Sequence, residues 1–141
     1  MNHALIYSLD EIKTAAQELV NLQSDVSVFT FDGDLGAGKT TLIQAILEIN
    51  GIHETIQSPT YNYVNIYTNA FNQQFYHFDL YRINSIEQFN NFGFNEYLYA
   101  PNSWSFIEWP EIISPLLKNK ICKVSIQKIS EERRKLLYTI V

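Results

Sequence analysis

The chain has a single cysteine, Cys122, so no disulfide can close within it. That excludes a disulfide-stapled secreted scaffold, and a reducing, cytoplasmic setting is the expectation. No apolar run approaches the ~20 residues that a membrane-crossing helix requires, so no membrane association is expected. The start of the chain lacks a basic stretch followed by an apolar one, and Asp10 and Glu11 arrive early, which argues against a signal peptide. Repeats, low-complexity tracts and Pro/Gly/Ser linkers are missing as well. What is present is 141 residues, 46% hydrophobic and only 18% charged. Disordered, collagen-like and coiled-coil classes are thereby excluded, and a single domain spanning 1–141 with its own core is expected.

Positive charge is scarce and unevenly placed. Residues 1–117 hold 3 basic and 13 acidic side chains, whereas residues 118–141 hold 7 basic and 2 acidic. A net charge of -5 makes the chain a poor non-specific binder of nucleic acid. The basic end reads either as a solvated hairpin or as a docking patch for an acidic partner or RNA.

Hydrophobic spacing outlines an alternation of strands and helices. Ser8 and Glu11 fit a capping box that starts a first helix at Ser8, with Ile12, Ala15, Ala16, Leu19 and Val20 at helical spacing. Val26 to Phe31 is a short run of β-formers, expected as a buried strand. A glycine-rich turn leads into a helix over 39–49, with Leu42, Ile43, Ile46 and Leu47 inward and Gly51 ending it. Strands are expected over 61–68, 75–80 and 104–107. Short helices are expected from Ser85, around 95–99 and from Pro110, and 121–129 with 135–141 should form a closing hairpin. This order predicts an α/β fold with an antiparallel addition.

The strongest signal is Gly33-Asp34-Leu35-Gly36-Ala37-Gly38-Lys39-Thr40, which matches G-x-x-x-x-G-K-[ST] at every fixed position. In a chain this long, the pattern arises by chance with a probability on the order of half a percent at average residue usage. Three of the five glycines lie within it. They allow the loop to wrap phosphates with its own amides, and the following helix aims its positive end at the same anion. Lys39 is expected to neutralise the β- and γ-phosphates, and Thr40 to place its hydroxyl on Mg²⁺. The guanine-reading pattern Asn-Lys-x-Asp is absent, since Asn119-Lys120 is followed by Ile121-Cys122; this favours ATP as the substrate.

Such a loop needs a second acid, usually at the end of a buried strand. Two runs supply one: Phe75-Tyr76-His77-Phe78 ends at Asp79, and Trp104-Ser105-Phe106-Ile107 ends at Glu108. On spacing alone, one holds the metal and the other orients the attacking water, and either could instead be a turn acid. His77 shares a strand face with Asp79 and either assists the site or serves only as a structural hydrogen-bonding group. Ser58-Pro59-Thr60-Tyr61 reads either as a γ-phosphate switch or as a turn into the next strand. Arg82 is expected on the opposite face from Asp79 if that strand continues, so no arginine from this chain is expected at the phosphates.

Four motifs in this order resemble the TsaE (YjeE) family: residues 33–41, Ser58-Pro59-Thr60-Tyr61, His77-Phe78-Asp79-Leu80-Tyr81-Arg82 and Glu108-Trp109-Pro110. The resemblance covers 33–110, and its order is more specific than the first motif alone. It implies a P-loop NTPase domain with a central, mostly parallel sheet flanked by helices, acting as a small ATPase in the synthesis of threonylcarbamoyladenosine in tRNA. It implies that residues 34–41 (Asp34, Leu35, Gly36, Ala37, Gly38, Lys39, Thr40 and Thr41) bind nucleotide. It further implies that Thr40 and Glu108 bind Mg²⁺, that Asp79 is the catalytic acid, and that Ser58 to Tyr61 form a switch. Trp109 is implied beside the nucleotide, and the segment Tyr7-Ser8-Leu9 near the base. The implied partners are TsaB and TsaD, with tRNA reached through their complex. Two other classes compete: a small-molecule kinase built on the same loop, and a nucleotide-dependent binding module. The kinase is disfavoured because the chain has only Arg82, Arg133 and Arg134 with which to clamp a transferred phosphoryl group.

Overall fold

A computed structural model describes residues 2–56, 62–118 and 120–141. Within them, seven strands form one sheet in the order β1-β7-β6-β2-β5-β4-β3. The strands are β1 (Asn2–Ser8), β2 (Val28–Asp32), β3 (Val64–Thr68), β4 (Gln74–Asp79), β5 (Ser103–Glu108), β6 (Ile121–Lys128) and β7 (Arg133–Ile140). The helices are α1 (Ile12–Val20), α2 (Lys39–Ile49) and α3 (Ile86–Asn91). The central strands β6, β2, β5 and β4 run parallel, and antiparallel strands extend the sheet on both sides. This is the α/β class with an antiparallel addition that the sequence predicts.

β2 is buried on both faces because helices cover both, which is why it reads as a continuous apolar run rather than an alternating one. Phe29 and Phe31 face α1 and α2, in a core shared with Leu19, Leu42, Ile46 and Phe106. Val28 faces the other layer with Phe78, Ile107, Phe89, Phe94 and Ile113, supplied by β4, β5, α3 and short 3₁₀ turns. α2 buries Leu42, Ile43, Ile46 and Leu47, the positions its helical spacing selects.

Three expectations need correction. The chain opens with a strand: β1 pairs antiparallel with β7 along its whole length. His3 to Tyr7 is apolar almost without alternation, and its inward side chains, Leu5 and Tyr7, pack on a core completed by residues at the far end of the chain. No local pattern marks that pairing. The helix after Ser8 begins as a 3₁₀ turn over Leu9–Glu11 and becomes α-helical only at Ile12. Glu11 does reach back, accepting from the Ser8 backbone N–H and hydroxyl, each at 3.0 Å. The segment after Pro110 is a 3₁₀ helix over Glu111–Leu116, and Pro115 within it lacks the N–H an α-helix would use.

Phe106 is fully buried at the centre of the sheet, its ring 5.3 Å from that of Phe29 and 6.4 Å from that of Phe31. Phe106→Ala should lower the unfolding free energy by about 3–5 kcal/mol, a large share of the ~5–15 kcal/mol typical of a domain. The shift in the urea midpoint measures it.

Candidate functional site

The glycine-rich loop joins β2 to α2, with Ala37 N–H donating to Asp34 O at 3.0 Å and Leu42 N–H to Gly38 O at 3.0 Å. A β-carbon at Gly33 would lie 2.7 Å from the Ile126 carbonyl oxygen, so no other residue fits there without moving β6. Gly38 has φ +106°, a left-handed turn that lets the chain enter α2 at Lys39. Asp34, Leu35 and Gly36 form the exposed crown of the loop, and Ala37 is buried at its base. Thr41 is exposed on the first turn of α2, on the rim of the cleft described below.

Parallel pairing of β4 and β5 places Asp79 directly opposite Glu108, and both strands end there, at the edge of the sheet that faces the loop. Glu108 is only 3% exposed. Its carboxylate accepts from the Thr40 hydroxyl, with Oγ1 2.9 Å from Oε2 and 3.0 Å from Oε1. It also meets His77 Nε2 at 2.6 Å. An ionised carboxylate can only accept, so this contact assigns the proton to Nε2. His77 is completely buried, and its Nδ1 has no hydrogen-bond partner. The imidazole therefore does more than satisfy itself: it fixes the orientation of Glu108.

Asp79 is half-buried, and its Oδ1 accepts from Tyr81 N–H at 3.1 Å. Burial raises its pKa above the usual carboxylate value; the Tyr81 amide opposes that rise and the charge on Glu108 adds to it. Lys39 is 5% exposed, with Nζ donating to Gly33 O and lying 3.7 Å from the centroid of the Trp109 ring. Burial lowers its pKa below the ordinary ammonium value, while Glu108, Asp32, Asp79 and Glu111 push it back up. Trp109 follows β5 with φ +56°, an unusual conformation for a bulky residue, and so turns its ring toward Lys39 and Tyr81, whose ring is 4.9 Å away. Lys39, Thr40, Asp79, Arg82, Glu108 and Trp109 thus line one cleft of about 460 Å³.

Arg82 departs from expectation. β4 ends at Asp79, so strand alternation no longer governs the chain three residues later, and Arg82 lines the same cleft as Asp79. Arg134, counted in the sequence only among the few arginines available for a phosphoryl clamp, has a different place: its Nε donates to Ala37 O at 2.8 Å, so a side chain from β7 holds the base of the loop. The only sequence signal for it was the basic bias of residues 118–141. Ser8 ends β1 opposite Arg133, its hydroxyl engaged by Glu11. Ser58, Pro59, Thr60 and Tyr61, expected as a switch, lie outside the described residues.

The donors that converge on the cleft are a hydroxyl and two carboxylates, all hard oxygen ligands that suit Mg²⁺. Among the described residues no three of His, Cys, Asp and Glu form a metal cage. That also suits Mg²⁺, which typically takes one or two protein ligands and completes its shell with water and phosphate oxygens.

A profile of the family described as "Threonylcarbamoyl adenosine biosynthesis protein TsaE" matches residues 6–136. Among curated proteins named "tRNA threonylcarbamoyladenosine biosynthesis protein TsaE", that of Borreliella burgdorferi is 37% identical over 75% of this chain and 77% of its own length. That of Rickettsia felis is 35% identical over 89% and 72%. The crystal structure of Bacillus subtilis YdiB superposes on the whole chain and 88% of its own, with a TM-score of 0.76 and 25% identity. The profile spans nearly the full sheet and every strand-end acid described above, and on that extent the chain belongs to the TsaE family.

Proposed function

We propose that this chain is a Mg²⁺-dependent ATPase with a P-loop NTPase fold that acts in the synthesis of the threonylcarbamoyladenosine modification of tRNA. It hydrolyses ATP to ADP and phosphate to cycle a complex of TsaB and TsaD, and reaches tRNA only through them. The observation that carries this reading is the meeting of the Thr40 hydroxyl with the Glu108 carboxylate at 2.9 Å, beside Asp79 and Lys39.

In this reading the amides of residues 34–41 and the N-terminal end of α2 hold the phosphates. Lys39 exchanges its backbone carbonyl partner for phosphate oxygens, neutralising charge that grows toward the transition state. Thr40 and Glu108 would hold Mg²⁺, which when bound offsets charge on the β- and γ-phosphates. Asp79 orients the attacking water; its raised pKa makes it a better proton acceptor near neutral pH than an ordinary aspartate. Trp109 packs over Lys39 and shields it from bulk water. Ser8, at the end of β1, is the candidate contact on the side of the base. The small-molecule kinase remains disfavoured, because the Nε and Nη1 donors of Arg134 are engaged by backbone carbonyls rather than directed at an acceptor phosphoryl group. Among the described residues no helix is long and apolar enough to cross a membrane.

Steady-state phosphate release tests the proposal. Weak turnover is expected from the isolated chain, raised at least about tenfold by purified TsaB and TsaD, because the partners are expected to complete the charge neutralisation that Lys39, Mg²⁺ and Arg82 begin. Equal rates with and without them would mean a self-sufficient enzyme. Lys39→Ala should abolish ATP binding or hydrolysis and leave the circular dichroism spectrum unchanged, since it removes a charge partner rather than core packing. Glu108→Ala and Asp79→Ala should differ in kind: the first weakens Mg²⁺-dependent nucleotide affinity, and the second slows turnover with affinity nearly kept. Calorimetric titration in the presence and absence of Mg²⁺ separates them, and the reverse pattern would exchange the two roles. Lys118, Lys120 and Lys123 are all exposed. Reversing them to Glu should weaken association with the TsaB–TsaD complex several-fold, more at low salt than at high; equal affinity across a salt series would show a merely solvated face.

A further inference from the structure

Arg134 lies on β7, 97 residues from the loop it touches. Its Nε–H donates to Ala37 O at 2.8 Å. Its Nη1 donates to Ser130 O at 2.9 Å and Arg133 O at 3.1 Å, with Glu131 O at 3.4 Å. One planar fork thus joins the base of the glycine-rich loop to the turn between β6 and β7. A β-carbon at Gly38 would lie 3.8 Å from Nε, so the guanidinium also packs directly on the residue that opens α2.

Two physical consequences follow. The peptide between Ala37 and Gly38 is trans, so its C=O and N–H point to opposite sides. With the carbonyl fixed on Arg134, the Gly38 N–H is turned away from β7, toward the opposite side of the loop. Gly38 has no β-carbon to restrict rotation of that peptide, so the restraint must come from outside the loop. The second consequence is electrostatic. Arg134 is a cation placed against Gly38 at the positive end of α2, where the helix dipole disfavours positive charge. A neutral donor would anchor the loop without that repulsion. The charge becomes favourable once an anion occupies the loop.

We propose that Arg134 is a positioning residue for polyphosphate: it fixes the Ala37–Gly38 peptide so that the Gly38 N–H faces the phosphates, and ties that geometry to the β6–β7 turn. The proposal rests on the nucleotide reading above and adds to it a residue outside the loop motif. The ligand class is the polyphosphate chain of a nucleoside di- or triphosphate, independent of its base.

The test compares the full-length wild type with Arg134→Ala and Arg134→Lys by calorimetric titration with ATP, ADP and inorganic tripolyphosphate. The backbone ¹⁵N shift of Gly38 is followed in the same titrations. Arg134→Ala should lose about ten- to hundredfold in affinity for all three ligands, the range for a hydrogen bond to a charged group. It should also lose most of the Gly38 shift seen in the wild type. Arg134→Lys keeps the charge but lacks the fork, and should recover only part of the affinity and little of the shift. Should Arg134→Ala not fold, the lysine variant, which retains the aliphatic stem, carries the same comparison. Affinity within about twofold of wild type for either folded variant would overturn the proposal. So would a loss for ATP that spares tripolyphosphate, which would place Arg134 at the base. A wild type that binds none of the three would overturn the nucleotide reading and this inference with it, an outcome distinct from wild-type binding that the variants retain.

Discussion

The Glu108 carboxylate is the point that the other elements must reach together. It lies at 3% exposure, where an unpaired charge would be costly. Two donors stabilise it, the Thr40 hydroxyl from α2 and His77 Nε2 from β4. Each donor imposes a condition on a different element. Thr40 reaches it only if α2 begins at Lys39, which requires the left-handed turn at Gly38. His77 reaches it only if β4 and β5 pair parallel in the observed register, and the same register sets Asp79 opposite Glu108. A slip of one residue along β4 would reverse which side chains face the site and break the chain of contacts. His77 leaves Nδ1 without a partner in the interior.

Much of this was legible in the sequence because it is encoded locally. The loop is a contiguous motif, and its flanking strand and helix carry their own hydrophobic periods, so Lys39 and Thr40 could be placed before any fold was known. Asp79 and Glu108 stood out because each ends an apolar run, and strand ends are where an α/β sheet presents its chemistry. What escaped was non-local or governed by chain breaks. β1 depends on β7, at the other end of the chain, and its own residues show almost no alternation. Arg82 escaped because an alternation rule was carried past the point where β4 stops. The role of His77 stayed open because its partner, Glu108, is 31 residues away, and only sheet register joins them.

Arg134 shows how the charge bias of the sequence should be understood. Residues 118–141 carry seven cations against an acidic remainder, a pattern that on its own suggests an external patch. The fold divides that group. Lys118, Lys120 and Lys123 stay exposed, whereas Arg134 turns inward onto Ala37 because β7 lies beside β6 and the β6–β7 turn reaches the loop. The acidic body makes this return of charge useful. Asp32, Asp79, Glu108 and Glu111 all act on Lys39 as nearby negative charges. A polyanion approaching the lysine would be repelled by the same charges. Positive charge delivered to the far flank of the loop by a distant strand, together with the positive end of α2, offsets that field at the place proposed for the phosphates. The acidic composition and the proposed anion-binding role of the loop are therefore compatible, because cations of the basic end are brought to the loop by the topology.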